Sequence, residues 1–258
     1  MSKFRETSGE DEDRLFVRSV GKAFRLLEAF ADTPGPMTLS QLAAAIEVDK
    51  SGAQRLAHTL GRLGYLEKAK GGFRPGRRLL ERSFDYLRGQ PIVSRAVPIL
   101  AELRRDVGER VDLSLFDDTA MIYLVRLQSK RESFYAHLNG RRVPTYCTAG
   151  GQAVLAQLAP EAALDVVERS ERVPTTPRTI TSVEETMRLV AQAREAGFAI
   201  ALEQVWLGEI ACGAAILDER KRPVAAIHVV GSIAEWTSDD FVRRIAPLAR
   251  DAARAISF

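Results

Sequence analysis

The sequence predicts an α+β protein built as two unequal units, and three observations carry that prediction. Three short amphipathic stretches followed by a glycine-containing hairpin fill residues 14 to 76. A further helical stretch, residues 77 to 90, runs to a break at Gly89, Gln90 and Pro91. From residue 91 to 258, strand-like alternation recurs between helical segments with more hairpins than βαβ crossovers, the pattern of a mainly antiparallel sheet with helices packed on it. A chain of 258 residues is long enough for each unit to bury its own core.

Each element has its local reason. Residues 1 to 13 are polar and acidic, lack the apolar core of a secretory signal, and read as a disordered tail of a cytoplasmic protein. Val17, Val20, Ala23, Phe24, Leu27 and Phe30 recur at helical spacing until "DTPGP" stops the helix. "TLSQLAAAI" restarts one, with Thr38 or Ser40 as N-cap and Leu39, Leu42, Ala45 and Ile46 as buried face. The third runs from Lys50 to Leu63 with Ala53, Leu56, Leu60 and Leu63 inward, closed by Gly64. "YLEKAKGGFRP" then reads as two short strands about a glycine turn. Beyond Pro91 come a helix to Val107, two strands around Asp117 and Asp118, and a third strand at "SFYAHL". Helices follow at 148–158, 160–168 and 183–196, strands at 198–202, 210–217 and 224–230, and a last helix from Ser238.

Composition narrows the function. With 46% hydrophobic and 28% charged residues and no apolar run near the ~20 residues of a membrane helix, a membrane role is excluded. Cys147 and Cys212 stand alone, without a CxxC pair, and nothing demands a disulfide between them. The net charge of +3 is unevenly spread: between Lys50 and Arg88 ten Lys or Arg face only Glu67, Glu81 and Asp85. A basic patch confined to one segment points to a polyanion.

That patch has a helical order. Lys50, Ser51, Gln54, Arg55, His58 and Arg62 fall on the outer side of the third helix, and Lys68, Lys70 and Arg74 follow on the hairpin. In a helix-turn-helix the second helix enters the DNA major groove, where Gln suits adenine, Arg suits guanine and neighbouring basic groups hold phosphates. The expected partner is double-stranded operator DNA, with the hairpin as a wing. The bland alternative is a three-helix unit used for protein contact.

The segments "SVGKAFRLLEAF", "LSQLAAAI", "KSGAQRLAHTLGRLGYLEK", "FRPGRRLLERS", "GRRVPTYCTAGGQAVLA" and "AREAGFAIALEQVWLGEIACGAAILDERKRPVAAIHVVGS" resemble, in order and spacing, the IclR family of bacterial transcriptional regulators. The resemblance implies a winged helix-turn-helix at 14–76, a linker helix at 77–90 and a GAF-like effector-binding domain at 91–258, assembled as a homodimer or tetramer. The family's DNA contacts fall here on Ser51, Gly52, Gln54 and Arg55. Gly52 replaces a usual threonine, at a helix cost of up to ~1 kcal/mol against alanine. The family's effector site falls on Ala149, Gly150, Ala201, Ala211, His228 and Val230. The last four of these are acidic, cysteine and two serines in members that bind very small keto acids, so Ala, Ala, His and Val imply a bulkier, less polar acid.

The local chemistry agrees. "TAGG" at a helix start leaves amides free for a carboxylate. Ala211, Gly213 and Ala215 share one strand face, small enough to leave room, and Ala226, His228 and Val230 share another. Tyr135 and Tyr146 are candidate walls. The alternatives are a packed helix on the small residues and a satisfied core histidine at His228. An enzyme of a small metabolite with an appended nucleic-acid-binding domain is the competing class, but there is no GxSxG, P-loop, HExxH or strand-borne GxGxxG. Cys147 has no histidine tied to it by spacing, and Cys147, Cys212, His137 and His228 have no metal-site spacing; no catalytic residue, metal or cofactor is expected.

Overall fold

A computed structural model describes residues 14–31, 33, 35–129 and 140–258. Tyr135, His137 and the expected strand at "SFYAHL" fall in 130–139, and the expected tail in 1–13, all outside the described residues. The chain divides into two units that meet at Gly89 and Gln90.

In the first unit, α1 (Arg18–Glu28), α2 (Leu39–Ala45) and α3 (Lys50–Arg62) precede a hairpin of β1 (Leu66–Ala69) and β2 (Gly72–Pro75), then α4 (Arg78–Arg88). Thr38 caps α2 through a full capping box with Gln41, whose two reciprocal hydrogen bonds satisfy orphan amides of the first turn. Asp49 caps α3, accepting from the Gly52 amide at 2.5 Å. The helix ends at Gly64 (φ +79°), which turns the chain so that the Tyr65 amide donates to Leu60. Met37 pairs with Phe73 beside the hairpin, and Gly72 allows it: a Cβ there would sit 2.1 Å from the Met37 carbonyl oxygen.

Leu26, Met37, Leu42, Ile46, Ala57, Leu60 and Leu66 form this unit's core. Two expected inward residues, Leu63 and Ala45, turn out. Leu63 is the C-cap, swung outward at 49% exposure, and on seven-residue α2 it is Ala43 rather than Ala45 that is buried. On α1 only Leu26 is buried, while Val20 and Phe24, with the preceding Val17, are exposed, because α3 covers one side of α1 and the opposite apolar stripe has no cover among the described residues of the unit. Helix α4 buries nothing, and its Leu80 and Phe84 also face out.

The second unit begins with α5 (Pro91–Val107) and a six-stranded antiparallel sheet: β3 (Arg110–Asp117), β4 (Ala120–Leu127), β5 (Arg142–Pro144), β6 (Ala199–Leu202), β7 (Glu209–Leu217) and β8 (Pro223–Ser232), in the order β5-β4-β3-β8-β7-β6. Between β5 and β6 lie α6 (Ala149–Leu155), α7 (Pro160–Arg169) and α8 (Val183–Ala196); α9 (Ser238–Ile256) closes the chain. Helix α6 lies on one face, where Gly150 abuts His228, and α9 on the other, where Phe241 abuts Gly231. Both faces are therefore covered, which buries the polar face of β3 that alternation alone assigns to water. Among the described residues no helix is long and apolar enough to cross a membrane.

Candidate nucleic-acid interface and effector cavity

The polar side of α3 is held by its own cap. The Ser51 hydroxyl and the Gly52 amide both bind the Asp49 carboxylate, which the Gly52 amide first and Ser51 second hold below the usual carboxylate range. A Cβ on Gly52 would come within 2.9 Å of that carboxylate oxygen, so the glycine admits a cap this tight. Lys50, Ser51, Gln54, Arg55, His58 and Arg62 stand exposed beyond it. A cleft of about 1000 Å³ separates this helix from the hairpin, lined by Gln54, Arg55, His58, Arg62, Lys68 and Phe73. On the hairpin Lys68 and Lys70 are exposed. Arg74 is engaged: it donates to Glu67 at 3.0 Å, and the same carboxylate accepts the Arg77 amide at 3.1 Å. The Arg77 amide, then Arg74, hold Glu67 below its ordinary range.

In the second unit the strand register gathers residues distant in sequence. One row across the sheet reads Arg110, Val230, Ala211, Ala201; the next reads Arg126, Asp112, His228, Gly213. The first row borders a cavity of about 30 Å³, room for roughly one water. Ala149 and Thr148 roof it, with Tyr123, His228, Glu209 and the loop residues Glu203 to Trp206 at its sides.

The charges beneath this cavity pair with one another. Arg110 donates to both oxygens of Glu209, at 2.8 and 3.1 Å, and through Nε to Asp112 at 3.2 Å. Arg126 approaches the other Asp112 oxygen at 3.2 Å. Burial pushes the Asp112 carboxyl up to about 6 against the pull of the two guanidiniums. Burial also opposes the Arg110 charge, but the Glu209 hydrogen bonds and Asp112 outweigh it and raise its pKa further. His228 sits 2.6 Å from the Ser114 hydroxyl, and burial, then Arg110 and Arg126, push it down to about 3. It is neutral at physiological pH, not the protonatable cation that an exposed imidazole would be.

Residues 84–258 match the C-terminal domain of bacterial IclR transcriptional regulators, and residues 19–70 match the IclR helix-turn-helix domain. The chain belongs to the IclR family. It is similar to the transcriptional repressor IclR of Escherichia coli, 26% identical over 245 residues that span 93% of this chain and 89% of that protein. A transcriptional regulator from Rhodococcus sp. RHA1 matches at 26% identity and a TM-score of 0.81, over 93% of this chain and 97% of its own. An IclR homologue from Microbacterium hydrocarbonoxydans, crystallised with 4-hydroxybenzoate, shares the fold at 24% identity and a TM-score of 0.76, over 93% of this chain and 97% of its own. The protein is accordingly an IclR-family transcriptional regulator with a helix-turn-helix and an effector-binding C-terminal domain.

Within that IclR frame, the structure brings Ala149, Ala201, Ala211, His228 and Val230 to one cavity. It separates two other expected residues from it. Tyr146 is fully buried in the helical layer and its hydroxyl donates to the Val173 carbonyl, because the chain between β5 and α6 turns its ring away from the sheet row. Gly150 packs on His228, and the β7 backbone at Gly213 covers its amide: a Cβ on Gly213 would lie 2.4 Å from the Gly150 nitrogen. The small residue at 213 thus makes room for α6, and of Ala211, Gly213 and Ala215 it is Ala211 that borders the cavity. Cys147 and Cys212 are free and buried, and burial pushes both thiols up to about 12, far from a nucleophile's range.

Sequence reasoning missed Arg110, Tyr123, Thr148, Glu209 and the loop from Glu203 to Trp206, all of which line the cavity. Period-two alternation in "RVDLS" does put Arg110, Asp112 and Ser114 on one face. Only knowledge that a helix covers that face turns the pattern into a buried charge cluster.

Proposed function

We propose that this regulator reads a partly palindromic operator as a homodimer or a tetramer, and that a small organic acid with an aromatic or branched apolar body, bound in the second unit, controls that reading. The exposed side of α3, with Lys50, Ser51, Gly52, Gln54, Arg55, His58 and Arg62, is the base-reading surface, and Lys68 and Lys70 hold phosphates from the wing. Arg74 braces the wing through Glu67 and contributes to phosphate binding through that scaffold. A second copy covers the exposed apolar stripes of α1 and α4, since isolated chains in water seldom keep such faces bare.

The observation that carries the effector reading is the cavity row itself: one buried guanidinium followed by Val230, Ala211 and Ala201, an anion-favouring end continuous with an apolar floor. Neutral His228 supplies a polar edge. The relative crystallised with 4-hydroxybenzoate agrees with an aromatic acid. Helix α4 joins the two units, so the effector's influence passes along it to the reading heads.

Gel-shift titration of the DNA upstream of the protein's own coding region, with and without a panel of aromatic and branched acids, tests this. One or more acids should shift the midpoint for specific DNA and leave competitor DNA unaffected. Turnover of any acid by the purified protein would instead favour the enzyme class.

A further inference from the structure

Of the two carboxylates on Arg110, only one is able to leave. Asp112 is fully buried and is also held by Arg126 at 3.2 Å. Glu209 has a side chain 29% exposed, borders the cavity, and opens β7 directly after Gly208, a left-handed position at φ +81°. Its two oxygens meet two guanidinium N–H groups, at 2.8 and 3.1 Å, in a fork that any carboxylate can copy.

We propose that Glu209 is an internal stand-in for the effector's acid group, and that the effector binds by taking the Arg110 fork from Glu209. The proposal rests on the organic-acid reading above and names its anchor. Charge balance favours the exchange: Arg110 is bound by both Asp112 and Glu209, so an entering carboxylate restores the charge that Glu209 takes away. A neutral ligand would leave the buried Arg110 guanidinium with only Asp112, which it shares with Arg126, a costly state.

Space points the same way. The cavity's 30 Å³ is too small for an organic acid, and departure of Glu209 frees volume at the end where the acid must sit. The other anion-favouring feature, the start of α6, is closed at Gly150 by the β7 backbone. With strands ~4.8 Å apart, an acid held at Arg110 lays a body one ring long over Val230 and Ala211.

The test is calorimetry on the full chain with benzoate, 4-hydroxybenzoate, 3-phenylpropionate and isovalerate, each beside its neutral amide. Glu209→Gln removes the competing charge from a half-buried side chain without changing its size. It should bind the acids that wild type binds roughly tenfold more tightly. Arg110→Lys keeps the charge but loses the fork, and should lose most of the preference for acid over amide. Circular dichroism melts establish that each variant is folded. Equal or weaker acid binding by Glu209→Gln, or unchanged selectivity in Arg110→Lys, overturns the exchange while leaving the organic-acid reading intact. Amides that bind wild type as well as acids overturn it too. Failure of every acid with both wild type and Glu209→Gln removes the organic-acid reading itself, and the exchange with it.

Discussion

The two ligand-facing regions treat charge in opposite ways. On α3 and the wing, Lys50, Arg55, Arg62, Lys68 and Lys70 are exposed and make no ion pair among the described residues. Around the candidate effector cavity Arg110, Arg126, Asp112 and Glu209 are gathered into one chain of ion pairs. The difference follows from the partner. DNA arrives with its own charge and counterions, so solvated cations serve it at no desolvation cost in the free protein. Under the proposed exchange a small acid enters a covered sheet face, where a lone guanidinium would be intolerable, so internal carboxylates hold it until the ligand takes over.

The largest expected effect tests the buried half of the comparison. Asp112→Ala leaves Arg110 and Arg126 facing each other without a shared anion, and should cost about 3–5 kcal/mol of stability in urea denaturation. Glu185→Ala, which removes the partner of Arg188 on the solvent-facing side of α8, should leave the urea midpoint almost unmoved. Comparable losses in both variants would erase the distinction between buried and solvated pairs.

Next in size is the reading helix. Arg55→Ala should remove ~1–3 kcal/mol of discrimination between operator and random DNA while the fold, set by Leu42, Ala57 and Leu60, is unchanged. Equal loss of affinity for both DNAs would move base reading off α3.

How much of this was legible in the sequence differs between the regions for the same reason. The winged helix-turn-helix is built from contacts close in sequence: Thr38 with Gln41, Asp49 with Gly52, Leu66 opposite Pro75. Period and capping chemistry therefore place α2, α3 and the hairpin within a residue or two. The cavity is built across the sheet, where Arg110 meets Glu209 ninety-nine residues away. No local pattern announces that pairing, and the polar face of β3 reads as solvent-facing until α6 covers it. The same blindness made Tyr146 look like a wall and Gly150 like an open amide, since both are displaced by how the β5 to α6 connection and Gly213 pack.

Per unit of pH, a more gradual effect comes from titration. His228 is pushed from its ordinary value near 6.5 down to about 3, so its folded-state pKa is depressed. The unfolded chain then binds more protons than the native one between those values, and the stability due to neutral His228 is full above pH 6.5 and falls as pH drops toward 3. Asp112, raised to about 6, works in the opposite sense between pH 4 and 6 and offsets part of that slope. The difference in stability between wild type and His228→Gln should rise with pH up to 6.5, on the order of 1 kcal/mol per unit, and then level off. A flat difference across that range would mean that His228 titrates normally, and is solvated rather than packed on Gly150.

The smallest effect separates two basic residues of one hairpin. Lys70 is exposed beside the Gly71 turn and makes no ion pair among the described residues, so Lys70→Ala should weaken binding to all DNA sequences alike and lower the salt slope by about one unit. Arg74 already donates to Glu67, the carboxylate that also holds the Arg77 amide. Neutralising it removes a charge that is internally matched, so Arg74→Ala should change the salt slope by less than Lys70→Ala does. Fluorescence anisotropy with one DNA duplex over a series of salt concentrations measures both slopes. If the two variants lose the same slope, Arg74 releases Glu67 on binding, and the exchange of an internal carboxylate for an external anion operates on the wing as well as in the effector cavity.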